Sequence, residues 1–287
     1  MKKILILAFV CLAALQTAAA QRFSFLQIPQ DPAVSGMAGA GVALRSISPL
    51  DNNLADAALA QEKMTAGASY TLWTPSVNSF GLLGASASYR VIPKLVVALS
   101  VKDFMSPSYE LASAGGLSEE SFRPMDLAIG LGASYRLGES LAIGAAAKFL
   151  HSSLAPEVKR STVAFNLSAK YTAGGLQAGL ALDNLGSGVP STVRAGAAYS
   201  IAGLTASLEG DYVLGAGMMA GAGLQYGIKD MVFVRAGYHL GLSDKVIPSH
   251  VSLGVGLKFS AFRLDVSYLT ASETLGNTLA FGVGYSF

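Results

Sequence analysis

The chain has 287 residues, of which 52% are hydrophobic and only 13% charged, with a formal net charge of +2. An average soluble chain carries roughly 25% charged residues, so this one has too little charge to cover a soluble domain of its size. The near-neutral balance, with no basic patch, excludes a nucleic-acid partner.

The first element is a leader, residues 1–20. Lys2 and Lys3 precede an apolar stretch from Ile4 to about Leu15, and small residues Ala18 and Ala20 stand ahead of Gln21. That is the layout of a cleaved secretory signal peptide. The apolar run is short for a membrane span, which makes an uncleaved anchor the weaker alternative. The single cysteine, Cys11, lies inside this leader, so the mature chain has no thiol for disulfides or metal.

Residues 21–60 form the second element. They contain Pro29, Pro32 and Pro49, a glycine cluster at Gly36, Gly39 and Gly41, and a helix-like piece from Asn53 to Ala60. Nothing here alternates as a strand does. The expectation is a plug folded into a lumen, with Gly36, Gly39, Gly41 and Asn53 as its packing residues. The alternative is a periplasmic arm.

From residue 61 to 287 the pattern changes to strict period two. Val251, Leu253, Val255, Leu257 and Phe259 alternate with Ser252, Gly254, Gly256, Lys258 and Ser260, and Leu279, Phe281, Val283, Tyr285 and Phe287 with Ala280, Gly282, Gly284 and Ser286. Successive strand residues point to opposite faces, so one face is bulky and apolar while the other is small or charged. A soluble sheet turns charge outward and packs bulk inward; here bulk suits lipid and the small face suits a lumen. Such segments begin near residues 64, 79, 94, 124, 139, 161, 175, 190, 203, 217, 231, 249, 261 and 277. No run of about eighteen apolar residues follows the leader, which excludes helical spans. The expected fold is an all-β, transmembrane antiparallel β-barrel of about fourteen strands, with outer-membrane lipid as its solvent.

Connections alternate too. Short links are expected near Ile92-Pro93, Gly138, Gly174, Ala202, Lys229 and Ser260, and longer ones at 104–123, 153–160, 184–189 and 241–248. Tyr89, Tyr135, Tyr171, Tyr199, Tyr226, Phe259 and Phe287 share the bulky face at one end of their strands, which reads as an interfacial aromatic girdle. Tyr285 and the terminal Phe287 match the signal read by the barrel assembly machinery.

SGMAGAGVAL (35–44), SLAIGAAAKFLHSSL (140–154) and LALDNLGSGVPSTVRAGAAYSI (180–201) resemble the PorV/PorQ outer-membrane barrels linked to type IX secretion, which are themselves similar to FadL-type transporters. The resemblance implies a non-enzymatic barrel of the bacterial outer membrane that acts in protein secretion or surface attachment by binding secretion-system or secreted cargo proteins. The residues leave open a FadL-like conduit for hydrophobic small molecules, gated by the N-terminal segment. A membrane-embedded hydrolase is a distant third.

For a protein partner, the loop 104–123 offers Tyr109, Leu111, Leu117 and Phe122 as apolar anchors. GMAGAG (36–41) lacks the Gly-Lys-Ser/Thr ending of a phosphate loop. His151, His239 and His250 form no metal-ligand spacing, and Ser152 beside His151 points to the opposite face, so no catalytic residue, metal or cofactor is expected. Asp126, Arg136, Lys148, Lys170, Arg194, Glu209, Asp211, Arg235, Arg263 and Asp265 fall on the inward face with mixed signs, as needed to neutralise one another or to hydrogen-bond a plug. On this assignment Val255→Arg is costly and its lumen neighbour Gly256→Ser mild.

Overall fold

The computed structural model describes residues 23–74, 78, 80–113 and 116–287, with the side chains of 112–120 outside that description. The leader and its cleavage point lie outside the described residues. In chain order the strands are β1 (Met64–Trp73), β2 (Phe80–Ile92), β3 (Leu95–Met105), β4 (Tyr109–Ser113), β5 (Gly116–Phe122), β6 (Met125–Arg136), β7 (Leu141–Ala155) and β8 (Val158–Ala173). They continue as β9 (Leu176–Leu185), β10 (Thr192–Ile201), β11 (Leu204–Val213), β12 (Gly217–Ile228), β13 (Val232–Gly241), β14 (His250–Phe259), β15 (Phe262–Thr270) and β16 (Thr278–Ser286). All but β4 and β5 join in one closed antiparallel barrel of fourteen strands, sealed by β1 against β16. Every barrel strand starts within three residues of its expected position.

Closure removes the sheet edges, the condition for a β-structure to stand in lipid. The last residue completes it: Phe287 accepts from Lys63 N at 2.6 Å and donates to Met64 O at 3.0 Å. The end of the barrel holding Lys63 and Phe287, the near end, has tight links. One is Ala202-Gly203 at φ 49° and 83°, a mirror-image turn whose twist matches that of the strands it joins. Tyr89, Tyr135, Tyr171, Tyr199, Tyr226, Phe259 and Phe287 are all exposed at this end. Along the wall, Leu131, Leu208, Leu253 and Val255 are 64%, 66%, 48% and 50% exposed, an apolar exterior that only a non-aqueous solvent satisfies.

At the far end one expectation is corrected. Residues 153–160 are not a long loop: β7 and β8 continue to Ala155 and Val158, pairing Ser152 with Arg160 and Ser153 with Lys159 around a two-residue turn. The charged residues that read as loop are the polar tip of two strands extending past the others. The 106–124 connection is long as expected, and carries the hairpin β4–β5.

The core is not within the sheet but between its inner face and residues 23–60. That segment carries a 3-10 turn (Ser24–Gln27) and three short helices: α1 (Pro32–Ser35), α2 (Pro49–Asn52) and α3 (Ala55–Leu59). Phe23, Phe25, Leu26 and Ile28 pack at the far end against Leu82, Leu150, Val189, Val213 and Ile247, while Leu50 and Leu54 pack lower, against Ala98 and Ala146. Ala55 and Ala58 lie lower still, against Ala142.

Candidate functional site

An irregular backbone inside a barrel has to find partners for its N–H and C=O groups, and here the small polar residues of the wall supply them. Ser86 Oγ donates to Ile47 O at 2.6 Å, Ser207 Oγ to Ala40 O at 2.7 Å and Ser252 Oγ to Gly36 O at 3.2 Å. Ser168 Oγ accepts from Ala55 N at 3.1 Å. Where the wall has glycine, the segment's own backbone takes the space. A Cβ on Gly179 would stand 2.1 Å from Val42 O, and one on Gly223 would stand 2.7 Å from Met37 O. The small inner face therefore accommodates close-packed chain rather than an open channel.

Inward charges latch the same segment. Lys102 of β3 donates to Ile28 O at 2.5 Å and to Asp51 at 3.2 Å; Lys170 of β8 donates to Asp56 at 2.5 Å. Arg194 of β10 sits among Glu209, Asp183 and Asp211 at 2.7, 3.3 and 3.7 Å, and donates to Asn52 O at 2.9 Å. Glu209 in turn accepts from Val42 N at 2.6 Å. A second group, Arg235 with Asp265 at 2.9 Å and Arg263 with Asp265 at 2.6 Å, lies under α1. Apart from Asp211, 3.7 Å from Arg194, each of these charges thus has an opposite charge or a dipole within 3.3 Å, the condition under which burial is tolerated.

The packing residues expected in the segment all lie inside it. Gly36 presses on the wall, where an added Cβ would stand 3.2 Å from Gly254 Cα. Gly39 has φ 79°, and a Cβ on Gly41 would meet Val34. Asn53 Nδ2 bonds Val42 O at 2.8 Å and the wall carbonyl of Ala169 at 3.1 Å.

Above these latches a cavity of about 70 Å³ remains, toward the far end of the barrel. Leu26, Ile28, Val34, Trp73, Met219, Ile247 and Leu269 give it apolar walls, and Gln27, Gln30, Asp51, Lys148, Arg194 and Thr278 supply polar groups. Sequence reasoning placed Lys148, Arg194 and Asp211 on the inward face but missed Lys102, Asp183, Asp51 and Gln30. The first two continue the small-face alternation of β3 and β9 and were open to the same reading. Asp51 and Gln30 sit in non-repeating chain, where no period marks a face.

Of the anchors expected for a partner, Tyr109 and Phe122 are brought together, ring centroids 5.8 Å apart, and Tyr109 Oη donates to Leu154 O at 3.1 Å. Leu111 lies at the irregular step of the hairpin. Leu117 is in register with Ala112, its side chain outside the described residues. Tyr285 packs between Phe262 and Phe287 on the outer face, with ring centroids 5.0 and 5.7 Å apart and the rings tilted by 55° and 47°. His151 Nδ1 bonds Ser161 Oγ at 2.9 Å, across the strand pair, while Ser152 is buried on the other face. Among the described residues, no three His, Cys, Asp or Glu side chains gather as a metal site.

A closed fourteen-strand barrel, apolar outside and filled by its own N-terminal chain, is the architecture of a membrane-spanning β-barrel. Solved structures share it. The Ralstonia pickettii toluene transporter TbuX superposes with a TM-score of 0.67 at 11% identity, over 92% of this chain and 100% of that one. The CymD monoaromatic hydrocarbon channel does so at 0.66 and 15%, over 91% and 98%. The Pseudomonas putida toluene transporter TodX gives 0.66 and 14%, over 88% and 96%. A Pseudomonas aeruginosa FadL homologue also matches, at 0.56 and 12% over 91% and 98%. No protein-family model matches the chain, and no curated protein matches it in sequence. At these identities the likeness is one of fold.

Proposed function

We propose that the chain is a non-enzymatic conduit of the bacterial outer membrane for hydrophobic small molecules, with residues 23–60 as its gate. The observation that carries this reading is the cavity of about 70 Å³ between the gate and the far-end wall, whose exposed lining is mostly apolar although many polar side chains border it. The shared fold with barrels described as toluene transporters and a monoaromatic hydrocarbon channel supports the same reading. On this reading the far end faces the cell surface and the near end the periplasm. The test is toluene entry into intact cells that lack other hydrocarbon channels and express this chain. Expression should speed entry, and Thr71→Phe, which puts a ring into the cavity, should slow it. Entry equal to that of cells without the chain rules the conduit out.

A second reading follows the resemblance to PorV and PorQ proteins, namely protein secretion or surface attachment through a bound partner. The Tyr109–Phe122 ring pair on the far-end hairpin favours it, with Tyr109 40% exposed. Replacing both rings by Ser should then abolish capture of a protein partner from native membranes and leave hydrocarbon entry unchanged.

A further inference from the structure

The cavity carries a polar signal that an all-hydrocarbon cargo does not explain. Gln30 is 2% exposed, and both its amide nitrogen and its amide oxygen lack a hydrogen-bond partner. Its backbone N–H is held by Asp51 Oδ2 at 3.2 Å, and its side chain lies against Gly84, where an added Cβ would stand 2.3 Å from Gln30 Cγ. The side chain is therefore held along its length up to the amide carbon, 2.6 Å from the same added Cβ, while the amide nitrogen and oxygen have no hydrogen-bond partner. Gln27, on the same cavity, has an unpartnered buried amide nitrogen as well. Buried amides without partners are rare because burial forfeits their bonds to water. Both Gln30 atoms are free, so the observation does not depend on which is nitrogen and which oxygen.

The charges around the cavity narrow the chemistry further. Lys102 is bound to Asp51, Arg194 to three carboxylates, and Lys148 donates to Asn184 Oδ1 at 3.3 Å. A ligand carboxylate would meet committed cations and a surplus of acids. The volume is about half of the ~150 Å³ apolar cavity that holds a benzene, so it admits the end of a molecule rather than all of a large one.

We infer that the cavity receives the neutral hydrogen-bonding end of a hydrophobic molecule, an alcohol, phenol or amide, and that Gln30, assisted by Gln27, discriminates it from pure hydrocarbons and from carboxylates. This rests on the conduit reading and adds to it the class of head group. Gln30 presents one donor and one acceptor side by side, and a hydroxyl or amide is the complement that satisfies both.

Trp73, the only tryptophan of the chain, lines the cavity and reports its occupancy. Trp73 fluorescence of the full barrel in nanodiscs, titrated with toluene, benzyl alcohol and benzoate, is the experiment. Benzyl alcohol should bind roughly tenfold more tightly than toluene or benzoate, as one neutral hydrogen bond to a buried group implies. Gln30→Leu should bring benzyl alcohol down to the toluene value and leave toluene unchanged. Equal binding of toluene and benzyl alcohol to the unmodified chain overturns the inference, as does a preference that survives in Gln30→Leu. Tighter binding of benzoate overturns it too. The unmodified chain decides the matter even where Gln30→Leu does not fold. If none of the three probes perturbs Trp73, the conduit reading itself fails, an outcome distinct from binding without preference.

Discussion

Lys170 Nζ donates to Asp56 Oδ1 at 2.5 Å, joining the near-end part of β8 to α3 across 114 residues of sequence, with Lys170 2% exposed. Removing one member of a buried pair leaves the other uncompensated, at a cost of about 3–5 kcal/mol. Lys170→Met and Asp56→Leu should each lower stability by that order, and the double variant should lose far less than their sum. Urea unfolding in detergent, run as a double-mutant cycle, measures the coupling. Additive losses would mean that the pair does not hold the segment to the wall.

The glycines of the inner wall make a second test. Gly179→Ala places a methyl against Val42 O, so the segment has to shift, at roughly 1–3 kcal/mol of overpacking. Gly210→Ala is the matched control, since nothing lies within 4 Å of its added Cβ and the residue is exposed on the outer face. Limited proteolysis of the near-end opening should cut residues 23–60 faster in Gly179→Ala and at the unmodified rate in Gly210→Ala.

Lipid exposure predicts a third pair, with one expectation revised. Val255 is outward on β14, paired with Val234 and Val266, and Val255→Arg should cost about 2–4 kcal/mol near the bilayer midplane. Gly256→Ser was expected to be mild, but a Cβ there would stand 2.4 Å from Asp265 Oδ1 and 2.8 Å from an Arg235 nitrogen. That ion pair is 1% exposed on both sides, so the added side chain has to displace a buried salt bridge. Both variants should therefore lower the temperature at which the folded band is lost on an unheated gel. Only Val255→Arg should also impair insertion into preformed vesicles.

Acid should loosen the near-end anchor of the segment. Burial raises the Glu62 carboxyl, but the hydrogen bond and charge of Arg45 together with the backbone N–H groups of Glu62 and Gln61 outweigh it and hold the group below its ordinary 4.5. A depressed folded value contributes stability that is fully present above 4.5 and is lost as pH falls through the folded value. Single-barrel conductance should stay flat from pH 7 to pH 5 and rise only below about 4.5, where the pair breaks. Glu62→Gln should show the acid-state conductance at neutral pH.

What was legible in the sequence were the features set by local geometry. A strand turns its side chains over every residue, so the bulky and small faces of β14 and β16, their order and their number all stood in the alternation, as did the common end of Tyr89, Tyr171 and Tyr226. The tip of β7 and β8 was misread because polar Lys159 and Arg160 look like loop when nothing in the sequence says that the strands outrun the membrane. A plug of residues 21–60 was expected from the sequence, but how it meets the wall was decided only by tertiary structure. Nothing in the sequence singles out Gly179 and Gly223, yet against each lies a carbonyl of residues 37–42 that an added Cβ would meet. Arg194 read as one inward charge among ten. Its partners Asp183, Glu209 and Asp211 come from the two neighbouring strands, and Asn52 from a segment 142 residues away. Period and propensity act over a few residues, whereas an ion pair or an orphaned amide such as that of Gln30 is defined by whatever closure of the barrel brings beside it.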